Sequence, residues 1–433
     1  MAPSAALPMT PSADAPRARA LIPTVVLWVV LAALAPVVAL RPAGHRAVPY
    51  LALHVALTLV ALGLARLVRS SADLRALFVG AILTRLVNLG TPAFTTTDPA
   101  RYLWDGAVAL TGHDPYALPP LAAELVALRS RFPWPTDHFD VATCYPPLAL
   151  GLFALAAASG PARAMLAWKS LIAVASTLTG APAYRVASPA VVALLLASPT
   201  LLLESMVGAH LDAFIVLALA AALALALSLR WNSAALCLGV AIALKFVPGW
   251  ILPVFVFRAP RKALFAALAL APLALSFAVA HALGLTPPGS LPNFAANWSF
   301  AAPLWSALYA RFPTDDDTLR PALALAGLIL TLALSLRRGP LARNVRDALL
   351  VQLIVSPVAY PWYGMSLAVA CAFAPSATAF AVLTALPFSY EVIDRYQSVG
   401  QWTPARWPLA FTTAAFALGL GVDAWRAWRR RSR

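Results

Sequence analysis

Long apolar runs, separated by short polar breaks, fill most of the chain. Most runs are about 15 to 25 residues long, enough to cross a hydrocarbon core of about 30 Å as a helix. Leucine and alanine dominate them, whereas the strands of a membrane barrel would be short and alternate in polarity. The pattern predicts an all-α, polytopic transmembrane bundle of about 12 to 14 helices. The runs lie at 21–40, 48–67, 74–90, 146–160, 164–183, 189–203, 211–229, 232–257, 263–284, 321–336, 347–358, 362–374, 376–390 and 407–425.

Two of these runs are irregular. The run 146–160 is short and bounded by proline and glycine, and the run 232–257 is overlong and interrupted by Lys245 and Pro248. Broken helices at membrane depth are tolerated where they line a cavity. We therefore expect the first run not to cross the membrane and the second to form two half-crossings.

The composition supports a membrane protein. Hydrophobic residues make up 61% of the chain and charged residues 11%, against roughly 45–50% and about 25% in soluble domains. The net charge of +15 comes from arginine clusters between apolar runs and at the C-terminus, which is typical of cytoplasmic loops and not of a nucleic-acid-binding face. This predicts a multi-pass cell-membrane protein whose loop 91–145 and active site face the extracytoplasmic side.

The chain divides simply along its length. Residues 1–20 are rich in alanine, proline and serine and are expected to form a disordered cytoplasmic tail. Residues 21–425 form a single transmembrane domain, in which 91–145 is the main outer catalytic loop and carries short interfacial helices. Residues 426–433 form a basic cytoplasmic tail.

The sequence lacks the signature motifs of several function classes. The three cysteines are too few and too scattered for a disulfide framework or a zinc site. No Gly-rich phosphate loop, CxxC pair or HExxH motif is present, which argues against a nucleotide-dependent pump and a zinc protease. We therefore predict neither a cofactor nor a required metal.

The first long loop is rich in groups that can do chemistry. Asp98 and Asp105 are seven residues apart, so a helix along the membrane surface would place both carboxylates on one face. A carboxylate there suits sugar transfer, because the acceptor hydroxyl must lose its proton as the glycosyl bond forms. Structural alternatives stay open. Asp98 also fits as the cap of a helix with Pro99 at its first position, and Asp105 as an ion-pair partner of Arg101.

A second polar group interrupts apolar sequence further along. Glu204, His210 and Asp212 lie within LLLESMVGAHLDAF, and Lys245 lies alone within VAIALKFVPGW. Ionisable groups near membrane spans are costly and mark a site or a water-filled cavity. The alternatives are a short solvated turn for the first three and, for Lys245, snorkelling to the interface in place of binding a lipid phosphate.

Aromatic residues mark a third segment, SPVAYPWYGM, at a predicted outer boundary. Trp362 and Tyr363 lie at its centre. Tryptophan and tyrosine are enriched at membrane interfaces for anchoring alone. Anchoring and contact with a substrate therefore both stay open here.

The order of these landmarks resembles the polytopic GT-C glycosyltransferases and, among them, glycosyltransferase family 87. The likeness covers residues 94 to 365. The landmarks are the loop pattern D-x-x-R-Y-x-W-D-G with G-x-D-P-Y (Asp98, Arg101, Tyr102, Trp104, Asp105, Gly106, Gly112, Asp114, Pro115, Tyr116), then Tyr145-Pro146-Pro147, then Glu204, Gly208, His210 and Asp212, then Lys245 with Pro248, and last Pro361-Trp362-Tyr363.

The resemblance implies a GT-C-like fold with an outer-face cavity, a polyprenyl-phosphate sugar donor, usually mannose, and inversion at the anomeric carbon. It implies that Asp98 is the base. We expect Asp105, the second catalytic candidate, to organise the loop with Arg101, and Lys245 with His210 to hold the donor phosphate. The other candidate substrate-binding residues are Tyr102, Trp104, Tyr116, Glu204, Asp212, Trp362 and Tyr363.

The predicted function is therefore a membrane mannosyltransferase that acts on a cell-envelope glycolipid or glycan. Its partners would be the lipid-linked donor, this acceptor and the bilayer, with no nucleic acid. A transporter or flippase for lipid-linked sugars shares the apolar bulk and the broken helices, but it is expected to show inverted repeats, which are not detectable here. A non-catalytic scaffold subunit is a further alternative.

Overall fold

A computed structural model describes residues 14–312 and 316–432, with side chains from residue 20 to 312 and from 318 to 432. The described residues form mainly helices and contain no strand, and Phe300 and Val358 form an isolated bridge. This agrees with the predicted all-α bundle.

The described residues between 14 and 282 form fourteen helices. The bounds are α1 Asp14–Ala32, α2 Leu34–Ala39, α3 Ala47–Leu67, α4 Ser71–Leu86, α5 Asp98–Leu110, α6 Val126–Arg129, α7 Pro147–Ala157, α8 Ala164–Leu178, α9 Pro189–Ala197, α10 Pro199–Met206, α11 Asp212–Leu227, α12 Trp231–Leu244, α13 Leu252–Val256 and α14 Lys262–Ala282.

The described residues from 291 onward continue the bundle. The bounds are α15 Leu291–Asn297, α16 Pro303–Arg311, α17 Asp316–Leu336, α18 Leu341–Val355, α19 Gly364–Phe373, α20 Ala377–Ala385, α21 Glu391–Val399 and α22 Trp407–Arg431. Short 3₁₀ turns lie at Ala123–Leu125, Val247–Ile251, Pro361–Tyr363 and Leu386–Tyr390.

Six helices in the described chain are long and apolar enough to cross a membrane. They are Ala20–Ala39, Ala47–Leu67, Pro189–Met206, Lys262–Ala282, Thr318–Leu336 and Trp407–Arg431. The sequence-based number of about 12 to 14 also counted runs that form shorter helices, because proline, glycine or a charge ends them early. Apolar helices of this shorter class include α7, α8, α11 and α12.

Burial separates central helices from peripheral ones. Within Pro189–Met206, 72% of the apolar window is buried, against 17% in Lys262–Ala282 and 11% in Trp407–Arg431. Large side chains on the peripheral helices point outward, as Leu275 and Leu418 do with 66% and 72% of their surface exposed. The bundle therefore has an apolar exterior around a packed centre.

Local sequence explains where several helices begin. Ser70 accepts a bond from the Asp73 amide while the Asp73 carboxylate accepts from the Ser70 amide, a capping box that starts α4. Proline lies in the first turn of α5, α7, α10 and α22, where its missing N–H costs nothing.

The predicted break within 232–257 is confirmed. Helix α12 ends at Leu244, Lys245 is extended with φ −160° and ψ 134°, and the chain continues through a 3₁₀ turn into α13. Helix α7 within the run 146–160 has 11 residues. Whether these segments cross a membrane stays a prediction.

The two predicted tails differ from the structure in length. Residues 1–13 lie outside the described residues, and α1 already begins at Asp14, so the tail expected over residues 1–20 is wrong for 14–20. At the other end α22 continues to Arg431, so most of the basic segment 426–433 is helical.

A glycine allows the outer loop to pack on the bundle. A Cβ at Gly106 of α5 would lie 2.4 Å from the carbonyl carbon and oxygen of Phe153 in α7. The ring of Tyr102, one turn earlier, stacks on the ring of Phe153 at 4.6 Å. Helix α5 therefore lies backbone to backbone on α7, and this contact holds Asp98 against the bundle.

We expect Gly106→Ala to lower the thermal stability of the purified protein by an amount equivalent to about 1–3 kcal/mol, because backbone atoms must move to admit the methyl group. Tryptophan fluorescence on heating measures this. Gly151→Ala on α7 is the matched control, since a Cβ there meets nothing within 4 Å, and it should be neutral or stabilising. Equal effects of the two changes would contradict the close contact.

Candidate active site

A cavity of about 870 Å³ lies where the outer loops meet the bundle. Its wall combines the start of α5, the segment 136–146, the break after α12 and the segment 290–300. Five of the predicted site residues line it, namely Asp98, Arg101, Lys245, Trp362 and Tyr363. The other seven are buried outside its lining, namely Tyr102, Trp104, Asp105, Tyr116, Glu204, His210 and Asp212.

The side chain of Asp98 faces this cavity. Helix α5 begins at Asp98 with Pro99 in its first turn, but no described backbone N–H donates to the Asp98 carboxylate. The predicted capping role is therefore wrong. The Oδ2 atom instead accepts from the Tyr102 hydroxyl at 3.2 Å and lies 3.5 Å from Nδ1 of His210. With 29% of its side chain exposed, the carboxylate can meet a ligand.

His210 lies between two carboxylates. Its Nδ1 faces Asp98, and its Nε2 is 3.6 Å from Oε2 of Glu204. Both separations are those of ion pairs and are longer than ordinary hydrogen bonds. The imidazole is fully buried and stacks on the Trp362 ring at 4.1 Å. Asp98, His210 and Glu204 thus form a line from the cavity into the bundle.

The turn before His210 fits this arrangement closely. Ala209 has φ +50°, a conformation uncommon outside glycine, and its carbonyl accepts from the indole of Trp168 at 2.9 Å. A Cβ at Gly208 would lie 2.4 Å from Cδ2 of His210. The glycine therefore leaves the space that the imidazole occupies.

Glu204 is fully buried and bound by two tyrosines. Its Oε2 accepts from the Tyr390 hydroxyl at 2.7 Å, and its Oε1 from the Tyr50 hydroxyl at 3.4 Å. The alternative of a solvated turn around Glu204, His210 and Asp212 is wrong, since their exposed fractions are 0%, 0% and 5%. Neither contact could be read from the sequence, because each tyrosine lies in or beside an apolar run and reaches Glu204 only through packing.

Lys245 and Asp212 form a second charged group. Nζ of Lys245 donates to both carboxylate oxygens at 2.9 and 3.1 Å and lies 4.4 Å from the centre of the Tyr363 ring. The break after α12 turns the ammonium toward the first turn of α11. Because Lys245 lines the cavity, an anion that enters can compete with Asp212 for it.

Asp105 forms the ion pair with Arg101, which was the structural alternative to a catalytic role. Its Oδ1 pairs with Nε of Arg101 at 2.8 Å, and Arg101 also donates to the carbonyl oxygens of His138 and Val141 at 3.1 and 2.6 Å. Asp105 is 1% exposed and lies away from the cavity lining. The pair ties α5 to the segment 138–141, with Arg101 at the cavity wall.

The two carboxylates of α5 have pKa shifts of opposite sign. Burial raises the pKa of Asp105, and Arg101 offsets this only in part. Burial also acts to raise the pKa of Asp98, but His210, Lys245 and the Tyr102 hydroxyl stabilise its carboxylate and bring the pKa below its usual value. Asp98 is therefore ionised at neutral pH.

The remaining predicted residues support the loop. Tyr116 donates to the carbonyl of Tyr145 at 3.0 Å, and Tyr102 packs edge to face on Tyr145. Trp104 is buried. Among the described residues no three histidine, cysteine or acidic side chains converge as a metal site requires.

The two tyrosine hydroxyls that donate to Glu204 lead to a prediction about stability. We expect Tyr390→Phe to destabilise the protein by about 1–3 kcal/mol, since it leaves a buried carboxylate without its shorter donor. Tyr50→Phe should cost less because its bond is longer. Thermal unfolding measures both, with the part-exposed Tyr396→Phe as control. A Tyr390→Phe protein as stable as that control would contradict the role of this bond.

Comparison with known proteins identified no relative of this chain. No protein-family model, no curated protein and no solved structure matches the chain.

Proposed function

We propose that this protein is a polytopic membrane glycosyltransferase that transfers mannose from a polyprenyl-phosphate donor to a cell-envelope glycolipid or glycan, with inversion. The apolar exterior of the bundle supports the membrane assignment, because side chains such as Leu275 and Leu418 need a non-aqueous surrounding. The six long helices cross the bilayer, and shorter ones such as α11 and α12 complete the polytopic bundle. The cavity faces the extracytoplasmic side.

One observation carries the proposal. The ionised carboxylate of Asp98 faces a cavity large enough for a sugar. The buried His210 lies against this carboxylate on the side of the bundle, with Glu204 next to it. Burying His210 and Glu204 in an apolar bundle is costly, so their alignment with Asp98 supports a functional reason. Preorganised groups of this kind are typical of catalytic sites.

The chemistry follows from the charges at the cavity. Asp98 accepts the proton of the acceptor hydroxyl while that oxygen attacks the anomeric carbon of the donor sugar. The bond between this carbon and the phosphate oxygen breaks, and the phosphate leaves with the electron pair. Lys245 and Arg101, both at the cavity wall, stabilise its charge. General-base help of this kind is worth about 10²- to 10⁴-fold.

The geometry favours a different role for His210 from the one expected. Its imidazole is fully buried and absent from the cavity lining, which argues against direct contact with the donor phosphate. Its position between Asp98 and Glu204 supports a positioning role for the base. Lys245 with Arg101 then holds the phosphate.

We expect Asp98→Asn to lower transfer of labelled mannose from polyprenyl-phosphate-mannose to a membrane lipid extract by about 10²- to 10⁴-fold, because the amide cannot accept the proton. The assay uses purified protein in lipid. Asp137→Asn is the matched control. Its carboxylate lines the same cavity but is bound to the Thr97 hydroxyl at 2.8 Å and does not face His210.

The outcomes separate the alternatives. If Asp98→Asn and Asp137→Asn both transfer like the wild type, Asp98 is not the base. If a sealed vesicle assay shows movement of the lipid-linked sugar across the bilayer with no new glycosidic bond, the protein is a transporter or flippase.

A second prediction concerns the phosphate. We expect Lys245→Gln to raise the donor KM about tenfold or more, because one charge-assisted contact to the phosphate is lost. It also leaves Asp212 buried and unpaired, which lowers thermal stability. The double change Lys245→Gln with Asp212→Asn should recover stability but not KM. Recovery of both would show that the pair is only structural.

A further inference from the structure

Trp168 and Lys169, adjacent residues of α8, are buried in the bundle and do not line the cavity. Their exposed fractions are 0% and 2%. Among the described residues no carboxylate pairs with Lys169, and its ammonium donates to two carbonyl oxygens. Placing an ammonium group inside an apolar bundle is costly, which points to a functional reason for this lysine.

Lys169 holds the segment that leads to Asp98. Its Nζ donates to the carbonyl oxygen of Asn88 at 2.9 Å and to that of Thr91. Both carbonyls belong to the turn after α4, where a positive charge is favourable because the last carbonyls of a helix lack partners within it. Thr91 precedes Asp98 by seven positions, and residues 93–98 line the cavity. The turn therefore fixes where this segment enters the cavity wall.

Trp168 holds the turn that carries His210. Its Nε1 donates to the carbonyl of Ala209 at 2.9 Å, and Ala209 directly precedes the histidine. The indole also packs edge to face on Tyr102, with ring centres 5.5 Å apart, and the Tyr102 hydroxyl donates to Asp98. Trp168 thus contacts the turn before His210 and a residue that binds the Asp98 carboxylate.

One turn of α8 therefore holds both partners of the closest contact in the site. The Oδ2 of Asp98 lies 3.5 Å from Nδ1 of His210. Because Trp168 and Lys169 are adjacent in one helix, the rigid helical backbone fixes the distance between the two segments that they bind. A displacement of either segment by about 1 Å is enough to lower a reaction rate by about 10²-fold.

We infer that Trp168 and Lys169 are positioning residues, which set the separation between the Asp98 carboxylate and the His210 imidazole by holding the segments that carry them. The inference rests on the proposed glycosyl transfer, in which Asp98 is the base. Neither residue touches a substrate in the cavity.

Steady-state kinetics provide the first test. Trp168→Phe keeps an aromatic ring and removes the indole N–H, and Lys169→Met keeps an unbranched chain and removes the ammonium. We expect each change to lower kcat for mannose transfer by about 10- to 10²-fold. The donor KM should change by less than about twofold, because Lys245 and Arg101 are held by partners outside α8.

Trp28→Phe is the matched control. The Trp28 ring is also 0% exposed, but its indole N–H donates to no described residue. The same substitution there should leave kcat unchanged. An equal loss of kcat in Trp28→Phe and Trp168→Phe would overturn the inference.

A double variant tests whether Trp168 acts through the base. In the Asp98→Asn protein, the further change Trp168→Phe should lower the residual transfer by less than about twofold, because the group that it positions is already gone. A further loss of about 10- to 10²-fold would show that Trp168 supports the protein in general, and the inference would be wrong.

Hydrogen exchange measures the two segments without turnover. In full-length protein in lipid nanodiscs, Lys169→Met should speed amide exchange in peptides covering 88–97 about tenfold, and Trp168→Phe in those covering 207–212. Trp28→Phe should change neither. Trp168→Phe is the milder variant and decides the test if Lys169→Met does not fold.

The outcomes distinguish the inference from the proposed function. If exchange and kcat stay at wild-type values in Trp168→Phe, the positioning role is wrong while the proposed enzyme stands. If exchange rises as expected but the wild type transfers no sugar, the two segments do depend on this turn of α8, and the proposed function fails.

Discussion

The need to pair ionisable groups inside an apolar bundle organises this protein. Glu204 and His210 are fully buried among leucine and alanine side chains, and an unpaired charge there would cost several kcal/mol or more. Tyr50, Tyr390 and Asp98 supply the partners. These come from α3, from the turn after α20 and from the outer loop, so one buried group ties distant parts of the chain to α10.

The same constraint positions the cavity. Asp98 can face His210 only if α5 lies close to the bundle, and the absence of a side chain at Gly106 permits the contact with Phe153. The pair of Arg101 with Asp105 then holds the segment that follows. The cavity is therefore formed by the docking of a polar loop on an apolar bundle.

The ion pair of Lys245 and Asp212 differs from the buried group around Glu204. Lys245 lies at the cavity wall with 15% of its side chain exposed, and Asp212 is buried behind it. The attraction within this pair is therefore weaker than that of a fully buried pair, and a ligand in the cavity can replace Asp212 as the partner of Lys245. Lys245 follows the last residue of α12 in an extended conformation, so the break in the helix and the charged pair coincide. Glu204 and His210, which hold Asp98 from inside the bundle, thus lie beside the pair of Lys245 and Asp212, in which a ligand can replace Asp212.

The sequence by itself determined the helical architecture and the break at Lys245, and it offered the ion pair of Arg101 with Asp105 as one of two roles for Asp105. These depend on apolar run length, helix-breaking residues and the spacing of one helical turn, which are local properties. Only the tertiary structure decided that Asp98 faces His210 and does not cap its helix, and that Tyr50 and Tyr390 bind Glu204. Those partners are separated by 112, 154 and 186 residues along the chain, and only the packing of helices brings such distant side chains together.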